Sequence, residues 1–206
     1  MAVDAPARED RAKHGKNAQG REIISPERLA HFVLRTSRFE EMVDWYQTVL
    51  GARPAFKNDI LAFLSYDEEH HRVAILAMPD LKPQPDGVVG VHHNAFAYAT
   101  LDDLMSTYER LRDLGIKPVF PINHGPTTSL YYADPDGNQI ELQVDNYDSI
   151  DEATAFFYSE AFAENPIGVE FDPDDLLRRL RAGEPDEELK RRPDIGKRGV
   201  ADIKLR

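Results

Sequence analysis

His31-Phe-Val-Leu-Arg-Thr-Ser-Arg-Phe-Glu-Glu-Met-Val-Asp-Trp-Tyr-Gln-Thr-Val-Leu-Gly51-Ala-Arg-Pro-Ala-Phe56 and His93-Asn-Ala-Phe-Ala-Tyr-Ala-Thr-Leu-Asp-Asp-Leu-Met-Ser-Thr-Tyr-Glu-Arg-Leu-Arg-Asp-Leu-Gly115-Ile-Lys-Pro-Val-Phe120 follow one plan. Each runs from a histidine through an apolar stretch and an acidic stretch to a glycine, then Pro-x-Phe, so the chain carries an internal repeat. The leading runs, 29–34 and 91–98, are of strand length and largely apolar or aromatic. Thr36 or Ser37 in the first copy and Thr100 in the second are N-cap candidates, and Glu40, Glu41, Asp102 and Asp103 suit the positive end of a helix. Met42, Trp45, Tyr46 and Leu50 recur at helical spacing, as do Leu104, Tyr108, Leu111 and Leu114, and Gly51 and Gly115 stand where such helices stop. Further strands are predicted over 61–66 and 73–78, then 130–133 and 139–144, the last two joined by Asp134-Pro-Asp-Gly137, a strong turn signal. The unit is βαβββ used twice, in modules 26–80 and 90–146 of one α+β domain over 26–146.

Working outward, residues 1–21 hold hardly a large apolar side chain and cannot offset their ordering entropy, so 1–25 reads as a mobile arm. Beyond the repeat, 147–206 reads as a helical extension. One amphipathic helix is predicted over 152–162, and a second begins at Asp172-Pro173 and stops before Gly183, with a charged, frayed tail from Glu184. The sequence leaves open whether these helices cover the domain, lid a pocket or pair with a second copy in a homo-oligomer.

The chain has 206 residues, 41% of them hydrophobic, and a formal net charge of −12. That is enough for one real core. With excess acid and no basic cluster interleaved with aromatics, nucleic acid and anionic membranes are poor partners and small molecules better ones. No apolar run is long enough for a spanning helix or a secretory signal, so the cytoplasm is the default location. There is no cysteine. Disulfides, thiolate nucleophiles and Cys-based metal sites are excluded, leaving His, carboxylates, Tyr and Ser/Thr to carry the chemistry.

His31 and His93 hold equivalent places in the two opening strands, so modules packed with pseudo-two-fold symmetry would bring them together near the axis. Glu141 lies mid-strand between Ile140 and Leu142, where a buried charge is costly unless paired or coordinated. Two imidazoles and one carboxylate form the facial triad that holds non-haem Fe(II) and leaves coordination positions open. Taken singly, each of these residues has a plainer use in packing or on a half-exposed strand. Their repeat-related placement favours a metal. His70 and His92 fall on the opposite faces of their strands, Trp45 and Tyr46 suit helix core, and the acidic runs at 67–69 and 186–188 read as solvated charge.

Across residues 27–146 the chain resembles the vicinal oxygen chelate superfamily (glyoxalases, bleomycin resistance proteins and dioxygenases), and within it the type I extradiol ring-cleaving dioxygenases. The resemblance rests on Leu29-Ala-His31-Phe-Val, Glu69-His-His71-Arg-Val-Ala, Val91-His-His93-Asn-Ala-Phe, Asn123-His124-Gly and Ser129-Leu-Tyr131-Tyr-Ala-Asp-Pro-Asp-Gly-Asn-Gln-Ile-Glu141. It implies an open mixed β-sheet barrel around a metal held by His31, His93 and Glu141. The metal would be Fe(II), with Mn(II) suited to the same ligands, and O2 would be the co-substrate. The family's acid/base His falls on His71, its pocket His on His124 and its substrate-facing Tyr on Tyr131, with Tyr132 adjacent and not distinguished by sequence. The implied activity is extradiol cleavage of a catechol. The segment from His124 to Tyr131 is shorter than in the two-domain dioxygenases, and the extra module pair of those enzymes is not seen, so a one-domain member is expected. A glyoxalase-type isomerase or lyase is the alternative, but its fourth ligand would fall near Val73, Ala74 or Ile75, none of which is a donor. A binding protein of the same fold is a third reading, and it would have no need of the His/His/Glu set.

Overall fold

A computed structural model describes residues 13–16, 18–85 and 87–202. Of the arm expected over 1–25, the first twelve residues lie outside the described ones, as do the last four of the tail. Lys13–Lys16 (β1) and Glu22–Ile24 (β2) pair as an antiparallel ribbon. The first module follows with Phe32–Thr36 (β3), Phe39–Leu50 (α1), Arg53–Lys57 (β4), Leu61–Ser65 (β5) and Val73–Ala77 (β6), in the sheet order β3-β6-β5-β4. The second has His93–Tyr98 (β7), Leu101–Asp113 (α2), Phe120–Asn123 (β8), Thr127–Ala133 (β9) and Gln139–Asp145 (β10), in the order β8-β9-β10-β7. In each, the opening strand pairs in parallel with the last and the rest run antiparallel. The expected repeat is therefore an α+β fold of two like sheets. Among the described residues they are not hydrogen-bonded to one another and do not close into a barrel.

Alternation decides which face each sheet buries. Leu34, Val73, Ile75, Ala62 and Leu64 pack with Met42, Val43, Tyr46 and Val49 of α1, while Leu130, Tyr132, Ile140, Leu142 and Val144 join Leu101, Leu104, Met105, Tyr108 and Leu111 of α2. The two helices begin differently. Thr100 caps α2 by accepting from the Asp103 N–H at 3.0 Å, whereas α1 starts after Arg38 without a side-chain cap, and Thr36 Oγ1 instead accepts from the Arg38 N–H.

Several contacts tie the modules on this helical side. Phe32 and Phe96 lie 6.1 Å apart between ring centroids, and Arg110 of α2 donates to the Thr48 and Val49 carbonyls at the end of α1. The Tyr46 hydroxyl donates to Asp134 Oδ2 at 3.1 Å. Asp134 also accepts from the Asp136 N–H, the Asn138 N–H and Asn138 Nδ2, so one buried carboxylate closes the predicted turn and anchors the neighbouring module.

The extension departs from expectation in three places. The single helix predicted over 152–162 is two, Ile150–Phe156 (α3) and Glu160–Glu164 (α4), because the Ser159 hydroxyl donates to the Phe156 carbonyl and accepts from the Phe162 N–H, starting a new helix. Val169–Glu170 (β11), not anticipated, adds to the edge of the second sheet at β8. Pro173–Arg181 (α5) forms as predicted, capped by Asp172, and the tail beyond Glu184 holds a further turn, Asp186–Lys190 (α6), whose Leu189 is buried. Tyr108 and Arg112 of α2 both donate to Asp174, pinning α5 to α2. Among the described residues no helix is long and apolar enough to cross a membrane.

Asp134→Ala strands four donors at once and should lower the unfolding free energy by about 2–4 kcal/mol, against about 1 kcal/mol for Tyr46→Phe. Urea denaturation of both variants measures this. Equal losses would mean that the turn bonds add nothing.

Candidate functional site

The face of each sheet turned away from its helix carries the candidate residues. On β10, Glu141 sits opposite Ala95 of β7 on one side and Tyr131 of β9 on the other, while His93 pairs with Gln139 one step back on the same face. His93 Nε2 thereby comes to 3.0 Å from Glu141 Oε2. The Tyr131 ring meets His93 edge-on at 5.0 Å, and its hydroxyl lies 3.1 Å from His124 Nε2. His124, beyond the end of β8, places the same nitrogen 3.9 Å from Glu141 Oε1. Tyr132 faces the other way, buried against the helices with its hydroxyl unpaired, so Tyr131 is the tyrosine on Glu141's face.

Only 4% of Glu141 is exposed. Burial pushes its carboxyl up, but hydrogen bonds from His93 and Ser129, with His124 nearby, outweigh that and hold it below the usual carboxylate range. Burial, with the Glu141 charge alongside, raises the Tyr131 phenol well above its ordinary value and keeps it protonated. Burial also depresses the His124 imidazole, against the opposing pull of the Ile167 carbonyl and Glu141.

His31 and His71 form a second group. Their rings lie 4.2 Å apart, and His71 stacks on Phe63 at 4.4 Å. Burial lowers the His71 imidazole, reinforced by the adjoining His31 and His70 rings. Arg72 holds this corner together. Its guanidinium donates to the Leu29 and Ala30 carbonyls just ahead of His31 and pairs with Asp67 in the turn ahead of His71. Glu69 of the same turn pairs with Arg28. The acidic run expected to be plain solvated charge thus braces the turn. His70 and His92 precede their strands, and instead of pointing away each sets Nδ1 against Nδ1 of the next histidine, at 2.5 and 2.7 Å.

Of the expected donors, the structure brings together His93 and Glu141, with His124 and Tyr131 around them, and sets His31 against His71. Among the described residues no group of three or more His, Asp and Glu side chains closes around one point. The donor chemistry nevertheless fits a metal that takes two imidazoles and one carboxylate: Glu141 is a buried anion already joined to one imidazole. The strand registers also settle the fourth-ligand question. Ala74 pairs with Val33, two residues after His31, as Glu141 pairs with Ala95, two residues after His93. Ala74 is the first module's counterpart of Glu141 and offers no donor.

Residues 28–142 match the Glyoxalase/Bleomycin resistance protein/Dioxygenase superfamily. The chain belongs to that superfamily. Among its relatives is biphenyl-2,3-diol 1,2-dioxygenase 2 of Rhodococcus globerulus, 52% identical over 77% of this chain and 84% of the relative. Biphenyl-2,3-diol 1,2-dioxygenase 3 of the same organism is 46% identical over 79% and 86%. A lactoylglutathione lyase of Neisseria meningitidis serogroup A is 30% identical over 56% of this chain and 88% of the lyase. Among solved structures, a glyoxalase/dioxygenase from Nostoc punctiforme aligns with a TM-score of 0.50 at 17% identity over 60% of this chain and 96% of that one, a likeness of fold.

Two parts of the site carried no signal that a single sequence offers. Phe63, under His71, reads only as one more strand residue, and the Ile167 carbonyl that meets His124 Nδ1 at 2.5 Å is backbone from a distant segment.

The depressed imidazoles have a measurable consequence. Between the folded values of His71 and His124 and about 6.5, the unfolded chain binds more protons than the folded one, so stability falls as pH drops through that window. His71→Gln and His124→Gln should each flatten the decline, read as urea midpoints from about pH 5 to pH 8. Parallel curves for wild type and variants would remove these two groups as its source.

Proposed function

We propose that this chain is an extradiol ring-cleaving dioxygenase, inserting both atoms of O2 into a catechol at a non-haem Fe(II) held by His31, His93 and Glu141. The observation that carries the reading is the buried Glu141–His93 pair opposite a first module that offers Ala74 in place of a fourth ligand. Relatives about half identical and named as biphenyl-2,3-diol 1,2-dioxygenases support it. Mn(II) suits the same donors.

When bound, the iron would supply Lewis-acid activation of the catechol and a route for electrons from the ring to O2. The remaining work belongs to the chain. His71, kept neutral by burial and seated beside His31, holds the proton that substrate loses and returns it as the ring opens. Tyr131, kept protonated, donates to a substrate oxygen, and His124 accepts beside it. The site-side face of the first sheet gives the aromatic body of the substrate an apolar floor. Val33 is 53% and Phe56 48% exposed there, and Phe63 lies between Phe56 and His71. An aryl substituent on the catechol, as in biphenyl-2,3-diol, would cover that floor and exclude water.

Anaerobic reconstitution with Fe(II), followed by O2 and a panel of catechols with 3- and 4-substituents, tests the reading. One O2 consumed per catechol with a yellow ring-opened product is expected. His31→Ala and Glu141→Ala should lose iron, whereas His71→Ala should keep it and lose about a hundredfold in turnover. Metal bound without O2 uptake across the panel would reject the dioxygenase and favour an isomerase, tested with a glutathione hemithioacetal, or a binding protein.

A further inference from the structure

We infer that the C-terminal extension is a working part of this site. The Ile167 carbonyl sets the tautomer and aim of His124, and Gly168 is the positioning residue that lets it do so. The inference rests on the ring-cleavage reading for its kinetic consequence but not for the tautomer itself.

A carbonyl oxygen can only accept, so a 2.5 Å contact between His124 Nδ1 and the Ile167 oxygen puts the proton on Nδ1. In the neutral ring the lone pair is then on Nε2, the nitrogen 3.1 Å from the Tyr131 hydroxyl and on the side of Glu141. A free imidazole could flip or move its proton, and either change would turn an acceptor into a donor where a substrate oxygen is to bind.

The carbonyl reaches His124 only because the next residue lacks a side chain. Gly168 has φ +115°, and a Cβ there would lie 2.4 Å from the Asn123 carbonyl oxygen and 2.9 Å from His124 Cα. Buried Asn165 shapes the approach, accepting from the Ile167 and Gly168 N–H groups and donating to the Gly168 carbonyl. Arg192 donates to the carbonyls of Asn165 and His124, Arg198 to that of Gly168, and Asn123 Nδ2 to that of Lys190. The apolar anchoring of the extension, through Leu176, Leu177 and Leu189, lies elsewhere, on α5 and α6. The polar bonding around 165–168 thus converges on the turn that carries His124.

The full chain labelled with 15N-histidine, without metal, should show His124 as the Nδ1–H tautomer in long-range 1H–15N spectra, and Gly168→Ala should mix or reverse it. In the iron-loaded protein with biphenyl-2,3-diol, Gly168→Ala should cut kcat about 10- to 100-fold, with iron content unchanged and KM moved less than about threefold. In a His124→Ala background the same change should cost less than about twofold. Arg192→Gln, which leaves β11 intact, should shift the tautomer in the same direction and lower kcat about three- to tenfold, and it serves if Gly168→Ala does not fold. An Nε2–H tautomer in the wild type, or an undiminished Gly168→Ala effect without His124, would overturn the inference. A chain that cleaves no catechol yet shows Nδ1–H on His124, lost in Gly168→Ala, would reject the ring-cleavage reading and leave the positioning role supported.

Discussion

A carboxylate held in the middle of a strand, with almost no contact with water, is the constraint around which the second module is arranged. Removing an unpaired carboxylate from water costs several kcal/mol, so Glu141 is tolerable only where partners surround it. Those partners come from the other strands of the same sheet. Parallel pairing with β7 delivers His93, antiparallel pairing with β9 delivers Tyr131, and β8 leads on to His124. Because side chains alternate, a slip of one residue in β10 would turn Glu141 into the apolar layer under α2 and bring Ile140 or Leu142 to the site face. The register that fills the core and the register that builds the site are the same one.

The repeat is symmetric in backbone and asymmetric in chemistry. Where the second module has Glu141 the first has Ala74, and where the second is lined by His93, His124 and Tyr131 the first offers Val33, Phe56 and Phe63 beside the His31–His71 pair. One half is polar and hydrogen-bonded, and the other is apolar with two imidazoles at its edge. An aromatic diol is divided in the same way, with oxygens on one side and a ring face to cover. Each half is braced from outside its own strands: Arg72 binds the carbonyls ahead of His31, and the extension binds the turn that carries His124.

The repeat was legible because it is written in local periods. Met42, Tyr46, Leu104, Tyr108 and Leu111 recur at helical spacing and are the residues the helices bury, and Asp134-Pro-Asp-Gly137 makes the expected turn. Glu141 was legible as an anomaly, a charge within an apolar strand. The break at Ser159 was missed because a helical pattern of Ala, Phe and Tyr says nothing of a hydroxyl that takes the Phe156 carbonyl for itself. Tyr131 and Tyr132 have the same composition and nearly the same place in the chain. Only the register against Glu141 and Ile140 separates them.

Chain order and side-chain chemistry alone thus specified two βαβββ modules, the helices over them and the donors available to a site, since each depends on residues a few positions apart. Which donors meet depended on pairings across long separations. His93 reaches Glu141 through a parallel ladder, His31 settles against His71, and Ile167 bonds His124 from 43 residues away. Such contacts form where packing of the whole chain brings backbone groups into reach, and a backbone carbonyl has no residue type by which a sequence could announce it.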